Sequence, residues 1–318
     1  MRLAMRRTQK SRVQIKEKRV LKIVNLITML MFIAGCASTK AYTPPQTVEG
    51  VRSLYTQFNR VFTIKHNILV ANSSLCSRQI TDYGFIYMFV NEEASKEQQE
   101  LAIEAFNLQK EPMVTYVTPK GAAYRAGLLA GDVIVSVNDN LWSDAESDDV
   151  FKKLLKEGIQ SPNLRLGILR DKSKHTFNLT PDMACDYSFM LVDSEKHSAR
   201  AYKREIAVDF GAAKLLKRDD EIAFLVAHEL AHLLLGHTLP ERIKELDEYK
   251  MRNIMEKDAD ALGIRLMISA GYDPKGAETA LRSTDLLDSG PITRFLNYHG
   301  PYMLVDERIL YLRNVLGE

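Results

Sequence analysis

The sequence predicts an α+β protein: a mainly helical part with a small sheet, and a β-rich segment of barrel or sandwich type. Three stretches predict it. The run from Glu221 to His237 carries Ile222, Leu225, Val226, Leu230 and Leu233 at helical spacing. It opens on the acids Asp219, Asp220 and Glu221 and closes at Gly236 and Pro240, the pattern of a largely buried helix. Asn253 to Gly263 reads as a second, acidic helix. Val114 to Asp139 reads differently, as a strand, a short helix closed by Gly127, a Gly131-Asp132 turn and an alternating apolar strand.

The elements follow in order from a basic head. Nine of the 43 Lys and Arg and one of the 41 Asp and Glu fall in Met1 to Lys22, leaving 34 basic against 40 acidic residues in the rest. The formal charge of +2 therefore hides an acidic body, and nothing in it points to a nucleic-acid partner. Ile23 to Gly35 is uncharged and mostly apolar, too short to span a bilayer but suited to the h-region of an export signal. Ile33-Ala34-Gly35-Cys36 resembles a bacterial lipobox, which implies a signal peptide over 1–35 and lipid on Cys36. Ala37-Ser38 after it, with no Asp, implies by the same resemblance the outer membrane of a Gram-negative cell, facing the periplasm. An uncleaved amphipathic anchor is the competing reading. Residues 36–47, with Pro44-Pro45, read as a tether. Cys76 and Cys185 remain, an even pair in an oxidising compartment; a disulfide and two separate buried thiols both fit.

Within 48–110, Val51, Leu54, Tyr55, Phe58 and Val61 have helical spacing, and Phe85 to Val90 reads as a buried strand. The segment 111–180 adds to its Val114–Asp139 core a helix near Asp149 to Lys156 and strands near Leu164 to Leu169 and His175 to Leu179. This arrangement resembles a bacterial PDZ domain, which implies binding of an extended peptide as an added strand beside a helix. No carboxylate-binding glycine loop stands out in it.

The chemistry is carried by His228-Glu229-Leu230-Ala231-His232. Histidines four apart project from one helix face and can bind one metal ion. Glu229 lies about 100° around the helix from His228, beside the metal, where a general base for an attacking water belongs. A chance match has an expectation on the order of one in a hundred, so the motif outweighs a core helix with two incidental histidines. A catalytic zinc site needs a third protein ligand and an open fourth position. Glu256 and Asp260 share a helix face, so Glu256 can bind the single Zn2+ while Asp260 accepts the distal N–H of a ligating histidine. Glu248 and Asp258 compete for the ligand role; Asp258 faces away from Glu256, and Glu245, Asp247 and Glu248 read as a solvated charged face.

From about Ser198 to Asp273 the chain is similar to the HtpX-type and CAAX-prenyl-endopeptidase-type gluzincin metallopeptidases. His228, Glu229 and His232 match the family's His-Glu-x-x-His helix, His237 its further histidine, and Glu256, Ala259 and Asp260 its Glu-x-x-Ala-Asp helix. Arg204 to Gly211 resembles the strand and turn before that helix, which at a cleft edge would hold an extended substrate. Asn72 to Cys76 and Tyr83 to Phe85 resemble the start of the peptidase unit in lipoprotein members. The resemblance thus implies a peptidase domain split into 48–110 and 181–318 around the insertion, with a Cys76–Cys185 bridge tying the halves. Near the last helix the family's His-Pro becomes His299-Gly300-Pro301, and His299 or Arg308 is left as donor to the oxyanion. His237 is either a donor near the metal or a helix-terminal histidine facing the dipole. The implied activity is zinc-dependent endopeptidase action on misfolded or surplus envelope proteins. A lipid-anchored peptide-binding or chaperone-like protein with little turnover is the alternative. A structural zinc protein fits less well, because Glu229 would have no task in it.

Overall fold

The computed structural model describes residues 45–90, 94–144, 148–192, 194–241, 249–288 and 304–318. The export segment, Cys36, most of the tether, His299 and the acidic run Glu245 to Glu248 lie outside them. Residues 45–90 and 96–318 form one compact unit.

Helix α1 (Val48–Ala71) starts where Thr47 Oγ1 accepts the Gly50 N–H at 3.1 Å. Its C-terminal half buries Val61, Ile64, Ile68 and Leu69 in the helical body. Its other face turns aromatic rings toward α2 (Lys96–Phe106) and β3 (Met113–Val117): Tyr55 lies 4.6 Å from Phe106 and Phe62 6.4 Å from Tyr116, centroid to centroid. After α1 come β1 (Gln79–Asp82) and β2 (Phe85–Met88).

The insertion continues with α3 (Ala122–Ala126), β4 (Val133–Val137), β5 (Asn140–Leu141), α4 (Asp148–Ile159), β6 (Leu164–Arg170) and β7 (Ser173–Leu179). Its six-stranded sheet has the order β2-β3-β4-β6-β7, with β5 on β4. One face buries Val114, Ile134, Leu166 and Ile168 against Phe151 and Leu155 of α4. Each such fully buried side chain contributes roughly 1.5–3 kcal/mol, so this cluster is a core in its own right.

The chain returns through β8 (Asp182–Cys185), which pairs antiparallel with β1 from Gln79 opposite Cys185 to Asp82 opposite Asp182. Cys76 and Cys185 are disulfide-bonded, with Cα atoms 5.5 Å apart, beneath this two-strand neck. Buried His66 of α1 plugs the neck, its Nδ1 3.1 Å from Asp82 and its Nε2 3.8 Å from Asp182. Then follow β9 (Ser188–Val192), β10 (Ala199–Tyr202), β11 (Glu205–Asp209), α5 (Phe210–Leu215), α6 (Asp219–Leu234), α7 (Tyr249–Ser269), α8 (Lys275–Asp288) and α9 (Val305–Leu316). Helix α6 is the centre of this body: Ile222, Phe224, Val226 and Leu230 are buried among residues of α1, α7, α8 and α9.

Two expectations change. The strand at Phe85 to Val90 was placed with the helical body and the insertion begun at 111; instead β2 pairs with β3, Phe85 opposite Val117. Phe85, Tyr87 and Phe89 share one face and continue through Trp142 to Phe151, so the aromatic alternation buries against α4. The strand at Glu205–Asp209 was placed at a cleft edge; it is the middle strand of β10-β11-β9, and β10 is the outer one.

Candidate metal centre

Helix α6 opens with Asp219, Asp220 and Glu221 in its first turn, favourable beside the helix N-terminus, and Glu221 accepts the Arg218 backbone N–H at 3.1 Å. The face that α6 turns to α7 carries His228 and His232. Their Nε2 atoms are 3.1 Å apart. Glu256 of α7 reaches both, with Oε2 3.3 Å from His228 Nε2 and Oε1 3.6 Å from His232 Nε2. Ligands about 2.1 Å from a tetrahedral zinc are separated by about 3.4 Å. With one Glu256 oxygen turned to each imidazole, the three separations of 3.1, 3.3 and 3.6 Å bracket that value, and the His, His and carboxylate set suits zinc.

The surroundings set the charges. Asp260, fully buried one turn after Glu256, lies 3.0 Å from His228 Nδ1 and accepts from Arg308 Nε at 2.7 Å and Nη2 at 2.5 Å. Burial pushes Asp260 up, but Arg308 and His228 outweigh it and hold the carboxyl below its usual range. The same contest leaves Glu256 well below the usual carboxylate range, through burial opposed by His228 and then Arg308. Burial works against a charge on His228, yet Asp260 and Glu256 lift it to about 10. His232 is brought down to about 3 by burial and the charge on His228. A proton on His228 thus occupies the place of a cation in the metal-free centre. A zinc ion bound here would have to displace it, so if the centre takes zinc its affinity should rise about tenfold per pH unit from pH 7 toward 9. Competition titrations with a chelator across that range check this, and a flat profile would count against it.

Glu229 is buried within reach of the charges of His228, Glu256 and Arg308. Burial lifts it to about 7, against the pull of His228 and of the Ala201 N–H on β10. A carboxyl there can both take and return a proton near neutral pH.

The sequence-predicted residues divide as follows. His228, Glu229, His232, Glu256, Asp260 and Arg308 come together, whereas Asp258 is exposed. Arg308, with His299 one of two residues left as donor to the oxyanion, has two of its nitrogens bonded to Asp260 and Nη2 3.7 Å from Glu256, since an acid buried that deeply needs a cation. His237 lies on the outer nitrogen of His232 at 2.9 Å. Gly263 was not singled out. A Cβ there would stand 3.0 Å from His228 Cα and 3.1 Å from His228 N, so glycine lets α7 approach α6 closely enough for Glu256 to reach the histidines. Its position seven residues after Glu256, on the same helix face, is the signal that could have found it.

In the insertion, α4 runs beside β2: Lys152 Nζ lies 5.2 Å over the Phe89 ring, and Thr81 and Tyr83 donate to the Ile159 and Ser161 carbonyls at the other end. No strand pairs with the outer edge of β2 among the described residues. Residues 113–158 match the family profile described as PDZ domain. The chain carries a PDZ domain. PDZ domains bind peptides, and Tyr83-Gly84, overlooked because that stretch was placed in the helical body, leads into the strand edge beside α4. The chain is also similar to "Mitochondrial metalloendopeptidase OMA1" of Arabidopsis thaliana, 25% identical over 139 residues, covering 36% of this chain and 28% of that one. It therefore spans well under two thirds of that relative. Among solved structures it is similar to the HtrA3 PDZ domain bound to a phage-derived ligand, with 20% identity, 34% of this chain and 89% of that chain covered, and a TM-score of 0.26. It is also similar to the HtrA-type protease AlgW with a decapeptide, with 21% identity, 33% and 30% covered, and a TM-score of 0.25.

Proposed function

We propose that this protein is a zinc-dependent endopeptidase of the bacterial cell envelope, of the HtpX-type and CAAX-prenyl-endopeptidase-type kind, exported and held to the outer membrane by lipid on Cys36. The observation that carries the reading is the triangle of His228, His232 and Glu256 with Glu229 beside it. Similarity to a metalloendopeptidase supports it. His228, His232 and Glu256 would hold the ion, which when bound supplies Lewis acidity toward the scissile carbonyl. Glu229 takes the proton of the attacking water and returns it to the leaving amine. Ala201 ties Glu229 to β10, the outer strand, so an extended substrate added at that edge runs past the base. Arg308 and Asp260 keep His228 aimed with its Nε2 toward the ion. Misfolded or surplus envelope polypeptides are the substrates in this reading, with the PDZ domain holding their extended segments.

The test is metal analysis beside casein hydrolysis, with activity removed by a chelator and restored by zinc. Zinc-free, inactive wild type would favour the peptide-binding alternative. Among variants, Glu256→Ala should lose the most zinc affinity, and Asp260→Asn should lose roughly 10–100-fold, as outer-sphere partners do. Asp260→Asn should also lower the unfolding midpoint of the metal-free protein, since it leaves Arg308 without its main anion. Exposed Asp258→Ala should bind zinc as wild type does. A larger loss in Asp258→Ala than in Glu256→Ala would reassign the third ligand.

A further inference from the structure

The two histidines of the candidate centre are held from behind by different chemistry. Asp260 holds His228. Behind His232 stands another imidazole, His237, with Nδ1 to Nδ1 at 2.9 Å and ring centroids 5.1 Å apart. We propose that His237 is a positioning residue of this centre, accepting the Nδ1–H of His232 so that His232 presents its Nε2 lone pair to zinc. The proposal rests on the zinc reading of His228, His232 and Glu256.

The backbone builds the contact. Helix α6 ends at Leu234, and Gly236 then adopts φ 73°, the left-handed turn that favours glycine. The Gly236 N–H bonds the Leu233 carbonyl at 3.2 Å and the His237 N–H bonds the His232 carbonyl at 2.9 Å, the paired bonds of a Schellman ending. The second bond brings residue 237 back over residue 232. A histidine placed just after the helical glycine, five residues beyond a ligand, therefore returns to that ligand rather than leaving with the chain.

The tautomer follows from the neighbours. His232 Nε2 faces His228 Nε2 at 3.1 Å and Glu256 at 3.6 Å, so Nε2 is the ligand atom and Nδ1 must carry the ring proton. The partner of that proton must accept, which puts the proton of neutral His237 on Nε2. A neutral acceptor suits the charges. With a divalent ion bound, the ion and Arg308 already balance Glu229, Glu256 and Asp260 when all three are ionised, and a carboxylate behind His232 would leave excess negative charge in a buried site.

The test measures zinc affinity of the full chain by chelator competition, together with the visible spectrum of the cobalt-substituted protein. His237→Ala should bind zinc roughly 10–100-fold more weakly and shift the cobalt bands. His237→Gln, whose side-chain oxygen can accept the same N–H, should recover most of the affinity and the wild-type bands. Gly236→Ala, which keeps both imidazoles and strains the turn, should weaken zinc in the same direction. The metal-free His237→Ala chain should unfold near the wild-type midpoint. Unchanged affinity in His237→Ala, or no recovery in His237→Gln, overturns the role. A loss of zinc affinity far beyond 100-fold, with bands at saturating cobalt that report a changed coordination number, also overturns it, by making His237 a ligand. Wild type that binds no zinc overturns the zinc reading itself, whereas zinc-binding wild type beside an unaffected His237→Ala overturns the His237 role alone.

Discussion

Glu229→Gln should lower peptide hydrolysis by at least roughly a hundred- to ten-thousand-fold, the span of a positioned general base, while the protein stays folded and keeps its zinc. The amide can still accept the Ala201 N–H through its oxygen, so β10 remains in place. What it cannot do is take a proton from water. A second readout separates loss of chemistry from loss of structure. Glu229 ordinarily titrates at 4.5 and is lifted to about 7 in the metal-free fold, chiefly by burial. Between those values the unfolded chain has released this proton and the folded chain has not, so rising pH penalises the fold. Above pH 7 the penalty is complete, on the order of 3 kcal/mol at about 1.4 kcal/mol per tenfold. The metal-free Gln variant lacks that buried charge and should unfold at a higher midpoint than wild type at pH 8, with the difference vanishing near pH 4. A variant that is inactive and less stable at pH 8 would mean the substitution broke the site rather than its chemistry. Full activity would remove Glu229 from the mechanism.

The sequence made the centre legible and hid what supports it, for one physical reason. His228, Glu229 and His232 stand within one helical turn, so helix geometry alone brings them together, and Glu256 with Asp260 repeats this one helix later. Contacts between elements have no such local code. Arg308 finds Asp260 from 48 residues away, and nothing in Asp306-Glu307-Arg308 says whether that guanidinium faces an oxyanion or an acid. Gly263 shares a helix face with Glu256, but which element comes close there shows only once α6 is packed against it. The same holds for strands: the alternation at Phe85, Tyr87 and Phe89 announces a strand with one apolar face but does not name its sheet. Likewise Glu205–Asp209 was recognisable as a strand, while its central place depends on β9 and β10 on either side.

Excising the PDZ domain should succeed or fail according to where the cut falls. Asp82 and Asp182 stand opposite each other at the end of the β1–β8 neck, so a two-residue Asn-Gly turn can replace 83–181 and close a hairpin. That variant should be soluble, bind zinc and cleave a small unstructured peptide, with turnover of large clients reduced for want of the added-strand site. It should lose on the order of 3 kcal/mol of stability, because Tyr55 and Phe62 of α1 lose Phe106 and Tyr116. Replacing 111–179 instead keeps β2 and α2 but strips away β3 and α4. Phe85, Tyr87 and Phe89 would then face solvent on a strand unpaired along both edges, an aggregation hazard. Soluble yield, elution volume and zinc content distinguish the two, and equal behaviour would mean that β2 does not belong to the inserted sheet. The disulfide gives an independent check. Cys76 and Cys185 are 109 residues apart in the full chain, and the 83–181 excision shrinks the loop they close. A bridge stabilises chiefly by restricting the unfolded chain, more so for long loops. Replacing both cysteines with serine should therefore cost the excised protein less stability than the intact one, provided the neck itself survives the cut.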